Sequence, residues 1–224
     1  MTTAATTFDD KTILGIETTG SVVEAATGIA VVVLAIIGLA HAGSSFLGGI
    51  AAIVLGAALL AQGGAVAAEY TKLLSVITGG AVGAIELGGG MTVEVLAGGS
   101  IVVLGILALL GFTPDILISA GVIAVGASLI LAAGGLQRLN TLKVQAAGLS
   151  ELAQNVAEGA VACAITAQVL CGGAAIVLGI LALTVTAYAP ILMLVGLLVL
   201  GATVSLSGTA LTGRLVRLFN RKSM

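Results

Sequence analysis

Residues 94–134 read EVLAGGSIVVLGILALLGFTPDILISAGVIAVGASLILAAG, and after Glu94 the single charged side chain in the stretch is Asp115. Two apolar runs flank Gly111-Phe112-Thr113-Pro114-Asp115. Each is about 20 residues long, which as a helix crosses about 30 Å of hydrocarbon. Strands at that depth leave backbone groups unpaired unless a barrel closes, and the alternation of apolar and polar residues that a barrel requires is missing. The stretch therefore predicts a helical hairpin. Its punctuation agrees: Thr113 is placed to cap the second helix, Pro114 suits a first helical turn, and Asp115 favours the positive end of the helix dipole.

The same hairpin recurs on both sides. At an offset of 70 residues, Glu24, Gly28, Val31, Leu34 and Leu39 fall on Glu94, Gly98, Ile101, Leu104 and Leu109, and Leu47, Ile53, Gly56 and Leu59 fall on Leu117, Ile123, Gly126 and Leu129. Downstream the offset is 74 over the first helix, placing Gly98 and Leu104–Leu109 on Gly172 and Leu178–Leu183, then 75, placing Gly126 on Gly201. Repetition over most of a chain signals an architecture built from one unit. The expected fold is all-α: an integral membrane protein with six transmembrane helices as three tandem helical hairpins, the spans near 22–40, 47–67, 92–111, 114–136, 165–187 and 190–212. The hairpin repeats occupy 21–68, 91–137 and 164–213. A segment of 1–20 precedes them, a linker of 69–90 separates the first two, and a basic tail of 214–224 ends the chain. The second linker, 138–163, is read as an interfacial helix running into the fifth span, because Ser150, Glu151, Gln154, Asn155 and Glu158 lie opposite Leu152, Val156 and Val161 at helical spacing. Ser21 with Glu24 has the spacing of a capping box, and Ser44 or Ser45 is placed to cap the second span.

Composition places the whole chain in the same class. Of 224 residues, 59% are hydrophobic and 33 are glycine, only 8% are charged, and the mean hydropathy is +1.26. Ordinary soluble domains carry about 25% charged residues, so the solvent for most of this surface is lipid. A net charge of −2 and no dense basic patch exclude the phosphate-neutralising surface that nucleic-acid partners need. Trp is absent and aromatics are few, so packing falls to small residues rather than interfacial belts. Cys163 and Cys171 are about 12 Å apart on a helix, beyond disulfide reach, and read as buried free thiols. Lys11, Lys72, Arg138, Lys143, Arg214, Arg217, Arg221 and Lys222 all fall on linkers or termini and none on a hairpin tip. The positive-inside rule then places both termini in the cytoplasm, and the tips near His41, Phe112 and Tyr188 outward, in a multi-pass protein of the cell (inner) membrane. The N-terminal segment carries Asp9, Asp10 and Glu17 with Lys11 as its one cation, so the first span is expected to be a retained anchor.

Candidate chemistry is sparse. Glu24 and Glu94 occupy one repeat position, taken by Gln168 in the third copy. Ionisable groups within spans suggest an ion or proton site, but a carboxylate one turn past a helix start also favours the dipole, and the change to Gln168 supports that anchoring role. His41 stands alone at a tip with no second ligand beside it, so no metal is expected. No nucleophile, base and orienting group lie together, so the chain is not expected to be an enzyme. Gly88-Gly89-Gly90 and Gly98-Gly99 lack the Lys-Ser/Thr that follows in a phosphate loop, and no cofactor is expected. Small residues at spacing four, Gly48-Ala52-Gly56, Ala120-Ala124-Ser128-Ala132 and Ala167-Cys171-Ala175-Gly179, predict flat helix-packing stripes, with self-association as a consequence.

Leu104-Gly105-Ile106-Leu107-Ala108-Leu109, Pro114 and Gly121–Leu129 resemble the short repeat of the HdeD-type membrane proteins linked to acid resistance. That resemblance covers roughly residues 22–212 and implies six spans in three hairpins; it carries over no catalytic residue, and the first copy lacks the proline. Together these readings lead to a non-enzymatic, oligomeric structural or stress-related membrane component whose partners are the lipid bilayer and other copies or membrane proteins. The alternatives are a proton or small-solute channel using Glu24 and Glu94, and an accessory subunit of a pigment or redox complex.

Overall fold

The computed structural model describes the backbone of residues 24–41, 44–78, 89–147 and 151–222, and side chains within 24–41, 44–64, 93–133 and 165–207. Ser21 and the N-terminal segment lie outside the described residues. Among the described residues six helices follow in order: α1 (Glu24–Ala40), α2 (Ser45–Thr78), α3 (Gly89–Leu109), α4 (Pro114–Ala147), α5 (Glu151–Thr184) and α6 (Ala189–Lys222), with a short 3₁₀ turn at Thr186–Tyr188. No strand occurs among them.

Four helices contain apolar segments long enough to cross a membrane: Ser45–Gly64, Pro114–Ala133, Ile165–Thr184 and Thr186–Ser207. Glu24–Ala40 and Val93–Leu109 are shorter apolar helices. Much of the segment expected to link the first two hairpins is helical, because α2 runs on to Thr78 and α3 starts at Gly89. α5 is continuous from Glu151, so the expected interfacial segment and the fifth span share one helix.

The connections follow local chemistry. Gly111, at φ +91°, ends α3 in a Schellman motif: Phe112 N–H donates to Leu107 C=O (3.2 Å) and Gly111 N–H to Ala108 C=O (3.1 Å). Pro114 opens α4, and the Thr113 carbonyl accepts from the N–H groups of Ile116 and Leu117. Ser45 does not simply cap its own helix. Its Oγ donates to Asp115 Oδ1 at 2.7 Å, tying the start of α2 to the start of α4.

Three close contacts set the packing. A Cβ on Gly56 would lie 2.6 Å from the Gly98 carbonyl oxygen, one on Gly126 2.6 Å from that of Gly172, and one on Gly28 2.8 Å from that of Gly201. Only glycine permits these approaches, and backbones this close gain dispersion and Cα–H···O contacts. The pairs join α2 to α3, α4 to α5, and α6 back to α1. Gly28, Gly98 and Gly172 are related by offsets of 70 and 74, and Gly56, Gly126 and Gly201 by 70 and 75. The contacts therefore run around the bundle in a closed cycle, with the paired helices antiparallel.

Inside that cycle α2, α4 and α6 touch one another. A Cβ on Gly48 would meet Met193 Cε at 3.1 Å and Ile118 Cδ1 at 3.4 Å, so residues from all three helices converge at one level. Two turns along, Leu55, Val125 and Leu200, again matched by offsets of 70 and 75, are fully buried. The interior is filled along its centre. Outward, α1, α3 and α5 expose Ile29, Val33, Leu96, Val103, Leu170 and Val177, with further large aliphatic side chains beside them.

Candidate functional site

Most polar side chains in this interior are satisfied by their own helix. Ser119 Oγ donates to Asp115 C=O (2.6 Å), Ser128 Oγ to Val125 C=O (2.8 Å), Thr203 Oγ1 to Val199 C=O (2.8 Å) and Ser205 Oγ to Gly201 C=O (2.8 Å). Such back-bonding cancels the cost of a hydroxyl in an apolar core and leaves little free for a ligand.

One layer differs. Glu24, Glu94 and Gln168 are only 6%, 5% and 8% exposed. Each begins the stripe that its helix turns inward: Glu24-Gly28-Val31-Ala35, Glu94-Gly98-Ile101-Gly105 and Gln168-Gly172-Ala175-Gly179, all buried. The Glu24 carboxylate is close enough to Glu94 for their charges to repel. Glu24 Oε1 and Gln62 Oε1 are buried without a hydrogen-bond partner. Gln62 is a site residue that sequence reasoning missed. Its signal was spacing: Gln62 stands at intervals of seven from Leu55 and Gly48, on the stripe of α2 that meets α4 and α6.

The packing stripes divide. Gly48, Ala52 and Gly56 are buried, as are Ser128, Ala175 and Gly179. Ala120 and Ala124 are half-buried or better, Cys171 is half-buried and Ala167 is exposed. On α4 the closest approach belongs to Gly126; on α5 it is shared by Gly172, one residue along from Cys171, with a Cβ 2.6 Å from the Gly126 carbonyl oxygen, and Gly179 of the expected stripe, with a Cβ 2.5 Å from Ile123 Cγ1. The glycine–glycine contact falls on the stripe through Gly126 and Gly172 because a glycine carbonyl lies opposite each, whereas spacing alone fits either stripe.

His41 is exposed at the α1–α2 turn, with Nδ1 2.9 Å from the Ile37 carbonyl oxygen. Among the described residues no three His, Cys, Asp or Glu side chains group as metal ligands. Searches for relatives found no match to any protein-family model, to any curated protein or to any solved structure.

Proposed function

We propose that this chain is a non-enzymatic polytopic membrane protein with six spans in three tandem hairpins related by an internal repeat, serving as a structural or stress-related membrane component in the manner the HdeD-type resemblance implies. The observation that carries this reading is a filled, largely self-satisfied interior inside an exterior of large aliphatic side chains. The cyclic glycine contacts, related by the repeat offsets, support the repeat. Filled layers at Gly48/Ile118/Met193 and Leu55/Val125/Leu200 disfavour a conducting path along the centre.

The stripes that led to the expectation of self-association are used largely within the chain, which favours a single chain in lipid over an assembly built on them. In native-lipid nanodiscs the expected protein mass is that of one 21.7 kDa chain across concentrations. A stable dimer or larger assembly in native mass spectrometry would restore the oligomeric scaffold.

Topology provides the direct test of the six-span reading. Ser45 and Asp115 are hydrogen-bonded to each other, so reporters belong on the exposed tip residues His41, Phe112 and Tyr188. In a Cys163→Ser/Cys171→Ser background, His41→Cys, Phe112→Cys and Tyr188→Cys should each react with an impermeant maleimide added outside intact cells. Asn140→Cys should react only after permeabilisation. Outside labelling at Asn140 overturns the orientation, and protection of any one tip removes its hairpin.

A further inference from the structure

The interior is apolar through its middle and polar at one end, and that end is built from several helices at one level. Antiparallel register places Glu94 of α3 opposite residue 60 of α2, since Gly98 meets Gly56 and Gly105 meets Gly49. Gln62 is then within about 3 Å of Glu94 along the axis, at 1.5 Å of rise per residue. The same reading from Gly28/Gly201 and Gly172/Gly126 sets Glu24 opposite Ser205 and Gln168 opposite Ile130. Because 60, 130 and 205 are related by the offsets 70 and 75, the three outer side chains share one level.

The unpartnered atoms of this layer are of one kind. Glu24 Oε1 and Gln62 Oε1 are both acceptors. Glu24 and Glu94 bring two acidic groups, and no Lys or Arg lies among the described side chains to pair with them. A buried carboxylate oxygen without a partner, as at Glu24, carries a desolvation cost that a bound cation offsets. Oxygen donors only, with no imidazole or thiolate, suit a hard cation rather than zinc or copper. Two carboxylates are neutralised by one divalent ion, while a monovalent ion leaves a net buried charge.

We propose that Glu24, Glu94 and Gln62, with Gln168 on the same level, form a binding site for one hard divalent cation at this end of the bundle. The ion draws the inward stripes of α1 and α3 toward α2, so it joins the first two repeats where their carboxylates otherwise repel. The filled layers beyond it at Leu55, Val125 and Leu200 make the site a dead end. It holds the ion and does not conduct it. Gln168 replaces the third carboxylate, which keeps the layer neutral with a single ion bound.

The test uses the full chain in nanodiscs of zwitterionic lipid, stripped with EGTA and EDTA, at constant ionic strength. Ca²⁺, Mg²⁺, Na⁺ and K⁺ are titrated while the thermal unfolding midpoint is followed, and ⁴⁵Ca²⁺ binding gives the stoichiometry. The expected result is a saturable rise in midpoint with Ca²⁺ and one ion per chain. Glu24→Gln/Glu94→Gln should weaken Ca²⁺ binding by about 100-fold or more, since affinity follows the charge of the ligands. Without ion, this variant should unfold at a higher temperature than the stripped wild type, because the mutual repulsion is gone. Gln62→Leu removes one neutral oxygen and should weaken binding about tenfold, which keeps the proposal testable if the double variant fails to fold. The proposal is overturned by a midpoint in the wild type that ignores Ca²⁺, by an equal Ca²⁺ response in the variants, or by stabilisation through these residues with Na⁺ or K⁺ alone.

Discussion

Gly126→Leu is expected to destroy the folded bundle, while Gly173→Leu leaves it intact. A Cβ at Gly126 would lie 2.6 Å from the Gly172 carbonyl oxygen and 3.2 Å from Ala175 Cβ. Neither is the free end of a long side chain, so α4 and α5 must separate to admit even a methyl group. Overpacking a core costs about 1–3 kcal/mol when side chains can adjust. Here a backbone opposes the intruder, and the loss should exceed that range. In lipid there is little hydrophobic drive to re-form the pair once its close contact is gone. A Cβ on Gly173 or Gly99 would meet nothing within 4 Å, and Ile29, 70 residues before Gly99, is exposed. Leucine there should be neutral. Gly48→Leu should fall between the two, because its nearest neighbour is the flexible end of Met193. Unfolding midpoints and the fraction of monodisperse protein measure the series. Equal behaviour of Gly126→Leu and Gly173→Leu would show that the glycine cycle does not hold the helices together.

That contrast also marks how far the sequence could be read. Helix existence and the turn at Pro114 were legible because long apolar runs and a single proline leave few alternatives. The stop at Gly111 was available as well, since a glycine after an apolar run is the usual left-handed helix end. Choosing the buried stripe was harder. In helices this rich in Gly and Ala, spacing-four stripes occur side by side, and Ala167-Cys171 satisfies the pattern as well as Gln168-Gly172. The repeat offsets contain the missing discrimination. At those offsets only two sets of three positions are glycine throughout, Gly28/Gly98/Gly172 and Gly56/Gly126/Gly201, and these supply three of the close glycine–glycine helix contacts, beside that of Gly49 with Gly105. Glu24 was legible as an acid near a helix start, but its burial follows from sharing a face with Gly28, a face identified only through the partner helix. The bond from Ser45 to Asp115 joins residues 70 apart in the sequence, and nothing local at either one announces it.

Dividing the chain between Ala147 and Glu151 should yield two fragments that are unstable apart and assemble together. The first, 1–149, retains α1 to α4 but loses the partners of Gly28 and Gly126. The second, 150–224, retains α5 and α6 but loses those of Gly172 and Gly201. Each fragment then presents flat glycine faces to lipid, where bulky acyl chains cannot reproduce a helix backbone at contact distance. Alone, 1–149 should elute as heterogeneous aggregates or be degraded. Co-expressed, the fragments should copurify one to one, because both broken contacts lie on the same interface and re-form together. Affinity should fall below that of the intact chain only through loss of the covalent link and its effective concentration, in the mM range for a short connection. Gly172→Leu in the smaller fragment should abolish copurification, while Gly173→Leu should not. A monodisperse 1–149 that unfolds like the intact protein would mean that the third hairpin is an appendage, and that α6 does not close the cycle onto α1.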